Sequence, residues 1–378
     1  MQSKETASVS APPFPLLRLV KAAIARSGGW LPFDRFMATA LYAPGLGYYA
    51  RGSRQFGSLP GSGSDFVTAP ELSPLFGKAL ARQVAQALTA STTREMWEFG
   101  AGSGALAAQL LDALDDQVGA GHPVERYTIV DLSGALRERQ RERLQRFGAR
   151  VQWVDALPDA MQGVIVGNEV LDAMPVQLLH FDGAQWFERG VAANDDALQW
   201  ADRATSLRPP HDGPFAPGST VEIHPQAEAF VATLADRLTR GAAFFIDYGF
   251  PAAEYYHPQR TGGTLMCHRA HQADADPLAD VGEKDITAHV NFTGIALAAQ
   301  NAGLDVLGYT TQAHLLINCG VMDLLQGADL KTTANTQKLL TEHEMGELFK
   351  VIGLAKHCDA AFMQAPLGFA RGDRMHTL

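Results

Sequence analysis

Glu98, Gly100, Gly102 and Gly104 stand together in the run Trp97-Glu98-Phe99-Gly100-Ala101-Gly102-Ser103-Gly104. Apolar residues from Met96 to Phe99 suit a buried strand, and Ala105 to Leu114 suits the helix that follows. A glycine-rich turn between strand and helix lets a ligand press against backbone and brings its polar groups to the helix N-terminus. The spacing therefore predicts a nucleotide-like ligand. Gly100-x-Gly102-x-x-Ala105 also fits the dinucleotide fingerprint, and a turn that serves only tight strand–helix packing is a further reading. Two acids separate these. Glu98 would oppose a pyrophosphate but suits a cationic amino group. Asp131, ending the next predicted strand, lies 26 residues beyond Ala105, longer than the usual spacing of about 20. S-adenosylmethionine fits both observations better: it has no phosphate, an ammonium for Glu98, and a ribose diol for Asp131.

A second constellation concerns what would receive a group from such a donor. Asn168-Glu169-Val170-Leu171-Asp172-Ala173-Met174-Pro175 follows the apolar run Val164-Ile165-Val166. Glu169 and Asp172 are spaced i and i+3, which on a helical turn puts both on one face. Paired acids repel, so they meet a cation or share a proton, and a guanidinium is a cation whose planar fork suits two carboxylates. The plainer reading is that Glu169 contacts cofactor and Asp172 caps a helix. Asp247-Tyr248-Gly249 follows another predicted strand, and Asp285 to Phe292 forms a polar cluster ahead of a helix. There His289 either lines a site or is a satisfied buried histidine, and Asp285 or Thr287 could be an N-cap. Arg260 to Leu265 could bring a positive group to a loop, and Tyr48 and Tyr49 either cover the ligand or sit in the core. The zincin, nucleophile-elbow and phosphate-loop patterns are absent. Cys267, Cys319 and Cys358 form no C-x-x-C pair, so no metal site is expected.

These residues need elements to hold them. Leu16–Arg26, Leu31–Leu41 and Pro74–Leu88 read as helices with no strand–helix alternation, and residues 1–13 read as disordered. Alternation begins at residue 95: strands at 95–99, 126–131, 150–154, 163–168, 242–248 and 304–311, helices at 104–117, 133–147, 225–239 and 288–302. Residues 176–223 alternate apolar and polar between turn signals such as Asp182-Gly183 and Asn194-Asp195, which predicts an antiparallel insertion. Residues 260–285 read as loop, 314–348 as helical, and 349–357 as a closing strand. Alternating strands and helices predict an α/β fold with a parallel sheet covered on both faces. Ligands then sit beyond the carboxyl ends of the strands, where Gly100–Gly104, Asp131, Asp155, Asn168–Pro175 and Asp247 all fall.

The chain is long enough, at 378 residues, for one large domain or two smaller ones. Its net charge of −10 disfavours nucleic acid as a partner and is compatible with a basic protein or peptide. No apolar run is long enough to span a membrane, and no signal-peptide core precedes the first helix; Leu16–Arg26, short, amphipathic and mildly basic, could mimic a transit peptide but reads first as a helix of the domain. Three scattered cysteines and no secretion signal make the cytoplasm the expected setting.

Taken together the segments resemble the MidA family of S-adenosylmethionine-dependent methyltransferases, whose members include a mitochondrial complex I assembly factor that is a protein arginine methyltransferase. The matching stretches are Leu41–Tyr49, Asp65–Gly77, Glu98–Gly104, Asn168–Val176, Ile246–Gly249, Gly263–Leu265 and Asp285–Phe292, spread over about residues 31–357. The glycine loop is generic; NEVLDAMPV, DFVTAPE and DITAHV are more specific, and their order matches. The resemblance implies a class I, Rossmann-like methyltransferase fold with a seven-stranded sheet. A helical N-terminal cover would span 1–90 and the core 91–378, with a β-rich insertion near 176–223 and a helical one near 314–348. It implies cofactor contacts at Glu98, Gly100, Gly102, Gly104, Asp131 and Asn168, catalytic acids Glu169 and Asp172, and acceptor contacts at Asp247 and His289. The expected partner is a protein acceptor, with a complex I subunit as one candidate, and a homodimer is an open expectation. The loop at 50–64 is longer than the family pattern suggests. A cofactor-binding assembly chaperone and a small-molecule methyltransferase remain as rival functions.

Overall fold

The computed structural model describes residues 15–50, 67–116, 124–131, 133–194, 197–269 and 272–378. The expectations placed on residues 1–13, the 51–64 loop, Asp65-Phe66, Leu132 and Asp195 lie outside them.

The centre is a mixed, mostly parallel sheet. Along it the strands run Asp305–Thr311, Phe349–Lys356, Leu238–Phe250, Met161–Asn168, Glu95–Phe99, Arg126–Val130 and Val151–Val154. The last five pair in parallel, and Phe349–Lys356 runs antiparallel to both its neighbours. An eighth, very short strand, Val290–Asn291, pairs with Gly249 and Phe250. Side chains alternate across the sheet as a pleat requires. Met96, Val164, Val166, Phe244 and Ile246 pack towards the helices Pro74–Ser91 and Ala105–Asp116. Trp97, Phe99, Ile165, Ala243 and Phe245 pack towards Pro225–Arg237 and Phe292–Asn301. Strands buried on both faces read as near-continuous apolar runs, which is why they were visible in the sequence.

Three regions differ from expectation. Leu31 and Pro32, read as the start of a helix, form a short strand, and the helix runs Phe33–Tyr42. The predicted helix 288–302 starts at Phe292, because Val290 and Asn291 are held on the sheet and the Asn291 side chain caps the helix by accepting from Gly294 N. Residues 260–285, read as loop, contain the strands Met266–Arg269 and Gln272–Asp274, which pair antiparallel; Met266–Arg269 also pairs with Asp285–Thr287. Strands this short carry too little alternation to be seen in advance.

The segment 177–223 forms an antiparallel sheet of Gln177–Phe181, Trp186–Ala193, Leu198–Ala204 and Thr220–Ile223. The N-terminal region is stitched to it: Leu31 and Pro32 pair with Val191 and Gly190, Trp30 Nε1 donates to Ala201 O, and Phe33, Phe36 and Met37 share a core with Val176, Leu178 and Val191. A second clamp joins Pro70 and Gly77 to the helix behind the glycine loop, since Gln109 accepts from Gly77 N (3.0 Å) and donates to Pro70 O (2.7 Å).

Candidate active site

A cavity of about 850 Å³ opens at the carboxyl edge of the parallel strands, larger than one nucleoside-sized molecule needs. Glu98, Gly100, Gly102, Asp131, Asn168, Glu169, Asp172 and His289, named from sequence, all line it. Gly104 and Asp247 do not: both lie behind the lining, Gly104 packed close to Gln140 and Leu144.

Consider first the glycine turn. Gly102 has φ +54°, a left-handed conformation that side chains with a Cβ adopt at a cost. Its carbonyl accepts from Gln140 Nε2 (2.9 Å), and the same nitrogen donates to Asp131 Oδ2 (2.7 Å). Asp131 Oδ1 accepts from Ser133 N (2.9 Å). One buried amide thus ties the glycine turn to the acid at the end of the neighbouring strand. Gln140 sits mid-helix in Gly134–Leu144, whose strongly polar sequence gave no sign of a buried face. Glu71, from the TAPE element, and Arg143 both hydrogen-bond Ser103 on the same turn. Each Asp131 oxygen keeps a second lone pair for a diol.

Glu98 is 2% exposed and accepts a hydrogen bond from Tyr127 (2.7 Å). Burial pushes its pKa up to about 8, the Tyr127 hydroxyl opposing. A carboxyl in that state takes a cation readily and releases its proton on doing so. Asn168 Nδ2 donates to Glu169 Oε1, which leaves Asn168 Oδ1 buried and without a partner. An unfilled acceptor, a buried acid lacking an ion pair among the described residues, and a glycine turn open to close approach fit the amino-acid end and nucleoside of S-adenosylmethionine.

The other constellation is a cluster of acids. Glu169 has φ +55°, one of few non-glycine residues in the left-handed region. Burial raises its pKa to about 8, with the Asp172 charge adding to the effect. Asp172, 4% exposed, is raised to about 6, again chiefly by burial, with the Tyr248 hydrogen bond opposing. Tyr248 OH donates to Asp172 Oδ2, and Asp172 Oδ1 is buried and unpartnered. Asp285 accepts from Tyr49 OH at both oxygens (2.9 Å each), Tyr49 stacks on Tyr42, and Tyr42 OH donates to Ala173 O. So the N-terminal region supplies aromatic walls to this end, contacts between residues 236 apart that no local pattern shows. His289 stacks on Phe250 and meets Tyr248 edge-on; burial, then Arg260, lowers its pKa to about 4, so it is neutral at pH 7. Asp247 Oδ2 accepts from Val170, Leu171 and Asp172 N, and its other oxygen from Tyr248 N.

The two glutamates give a pH prediction. Both bind a proton more tightly folded than unfolded, so the ligand-free protein loses stability as pH rises from about 4.5 towards about 8. A cation that ionises them restores it. Binding of S-adenosylhomocysteine at pH 7 is accordingly expected to release a proton from Glu98. Calorimetric heats that differ between buffers of unlike ionisation enthalpy show this, and buffer-independent heats contradict it.

A glycine turn, a buried acid and an unfilled acceptor at the carboxyl edge of a mostly parallel sheet suit a methyltransferase. The chain matches the S-adenosyl-L-methionine-dependent methyltransferase family model (Methyltransf_28) over residues 79–310, and it belongs to that family. A Burkholderia thailandensis structure bound to S-adenosyl-homocysteine is 50% identical, with TM-score 0.90 over 99% of this chain and 100% of that one. A native structure from the same organism is 49% identical with TM-score 0.86, at the same coverage. Among curated proteins, human "Protein arginine methyltransferase NDUFAF7, mitochondrial" is 25% identical over 92% of this chain and 84% of its own length. The Caenorhabditis elegans NDUFAF7 homolog is 26% identical over 78% and 74%. The chain is thus an S-adenosylmethionine-dependent methyltransferase. The cytoplasmic expectation is overturned by the mitochondrial naming of these curated relatives. Cysteines that are free, as Cys267, Cys319 and Cys358 are, carry no address. Among the described residues no helix is long and apolar enough to cross a membrane.

Proposed function

We propose that the protein methylates arginine of a protein acceptor, the guanidinium being held by Glu169 and Asp172. The observation that carries this is the acid cluster: buried carboxyls of raised pKa, one with an orphaned oxygen, and no ion pair to either among the described residues. The names of the NDUFAF7 relatives support the reading. The strand order, with its one antiparallel strand inside the edge, supports the class I methyltransferase arrangement; the helix Pro74–Ser91 packs on that sheet, so an N-terminal cover would end before it and not at residue 90. A complex I subunit is the acceptor that the resemblance to the MidA family suggests.

When bound, the donor supplies a methyl group already activated on sulfur. Glu98, Asp131 and Asn168 orient it, with Gly100 and Gly102 allowing close approach. Glu169 ionises as the guanidinium enters, Asp172 being already largely ionised near pH 7, and the two draw its positive charge away from the attacking nitrogen. Asp172 Oδ1 takes the proton that this nitrogen sheds. Holding nitrogen, carbon and sulfur in line accounts for most of the remaining acceleration. His289, Tyr248 and the Tyr42–Tyr49 pair wall the acceptor end against water.

Incubation with tritium-labelled S-adenosylmethionine and two extracts from cells lacking the protein tests this. Label is expected in arginine of the protein fraction. Turnover on the protein-free metabolite fraction alone supports a small-molecule enzyme instead. Label in neither, with a partner misassembled in those cells, supports a chaperone.

A further inference from the structure

We infer that Asp247 is a positioning residue for methyl transfer: its carboxylate fixes the turn at residues 169–172 so that Glu169 and Asp172 face the acceptor together. The inference rests on the roles proposed above for those two acids.

Three successive backbone N–H groups, of Val170, Leu171 and Asp172, converge on Asp247 Oδ2 at 3.1, 2.9 and 3.2 Å. Its Oδ1 accepts from Tyr248 N at 2.9 Å. Successive amides aimed at one point form a concave site for an acceptor, and here the acceptor is the protein's own side chain; burial, then the neighbouring Asp172 and Glu169, push its pKa up, and the backbone N–H groups oppose this. Asp247 is 1% exposed and stands outside the cavity lining. Its oxygens are therefore engaged by backbone, and a role in touching the acceptor, expected from sequence, is not what this geometry provides.

What the contact holds in place is otherwise unfavourable. Glu169 sits at φ +55°, with its N–H donating to Ile246 O (2.9 Å). Residues in that region persist only where the surroundings over-determine them. Asp247 grips the backbone just after Glu169, while the adjacent Tyr248 grips the Asp172 side chain through its hydroxyl. The Asp172 carbonyl in turn accepts from Ala288 N (3.0 Å). Two consecutive residues at the end of one strand thus set both the path of the turn and the aim of its second acid.

Asp247→Ala removes both acceptor oxygens and leaves the N–H groups of Val170, Leu171, Asp172 and Tyr248 without the side chain that they meet. With the tritium assay on protein extract, kcat is expected to fall by roughly 100-fold, the scale of a misplacement of about 1 Å. The affinity for S-adenosylhomocysteine by calorimetry should stay within about twofold, a split that a general loss of structure would not give. Hydrogen exchange gives a reading that needs no acceptor. The amides of Val170, Leu171 and Asp172 should lose protection in the variant, while those of Gly100–Gly104 keep theirs. Unchanged exchange at residues 170–172 overturns the inference, as does wild-type turnover, or donor affinity falling in step with kcat. Absence of transfer by the wild-type protein would instead count against the arginine reading, and the exchange result would still decide this one.

Discussion

Replacing Glu169 with Gln and Asp172 with Asn in one protein is expected to lower methyl transfer at least about 10³-fold, roughly 4 kcal/mol of barrier. S-adenosylhomocysteine affinity should stay within about threefold. Both changes keep shape and remove charge. The amide introduced by Glu169→Gln still offers an oxygen to Asn168 Nδ2, so that contact survives. The folded state should not suffer, because burial disfavours the charged form of both acids and a neutral amide avoids that cost. At pH 8 the double variant is therefore expected to melt no lower than the parent. Either single change should give much of the total loss, since the two side chains act as a unit on one guanidinium. Steady-state transfer to extract, with calorimetry and thermal melting beside it, separates the outcomes. Transfer within threefold of the parent removes these acids from the mechanism.

The second large effect is at the donor end. Gly102→Val is expected to weaken S-adenosylhomocysteine by at least about 100-fold in titration calorimetry. A β-branched residue resists φ +54°, at a cost of about 1–3 kcal/mol, and its side chain adds bulk where the turn meets the cavity. The damage then spreads. Gly102 O and Asp131 Oδ2 share one donor, Gln140 Nε2, so a displaced turn also releases the acid at the next strand end. The turn N-terminal to helix Ala105–Asp116 carries its own clamp through Ser103, Glu71 and Arg143. Donor affinity equal to the parent would show that the turn does not hold the cofactor.

How far the site could be read in advance follows from which contacts are local. Glu98, Gly100, Gly102, Asp131 and the 168–175 segment all end or follow buried apolar strands, and the rule for open α/β sheets brought them to one edge. The same rule brought Asp247 there, yet could not say which way its carboxylate would turn. Its partners are backbone amides 75 to 77 residues earlier, and backbone donors leave no trace in residue type. Gln140 was invisible because its helix has no apolar stripe to mark a buried side. Tyr49 and Asp285 meet across most of the chain, through the packing of the N-terminal region on the insertion. The β-structure at 266–287 escaped notice because its strands have three or four residues each. Location failed for a different reason: thiol chemistry constrains redox state, and a cell has more than one reducing compartment.

The buried acids are expected to serve an arginine of a protein. Mass spectrometry of total protein from cells lacking this gene, complemented with either the parent or the Glu169→Gln, Asp172→Asn form, tests that most directly. A methylated arginine present with the parent and absent with both the empty strain and the variant is the expected result. The same set of methylated arginines in all three strains would contradict it.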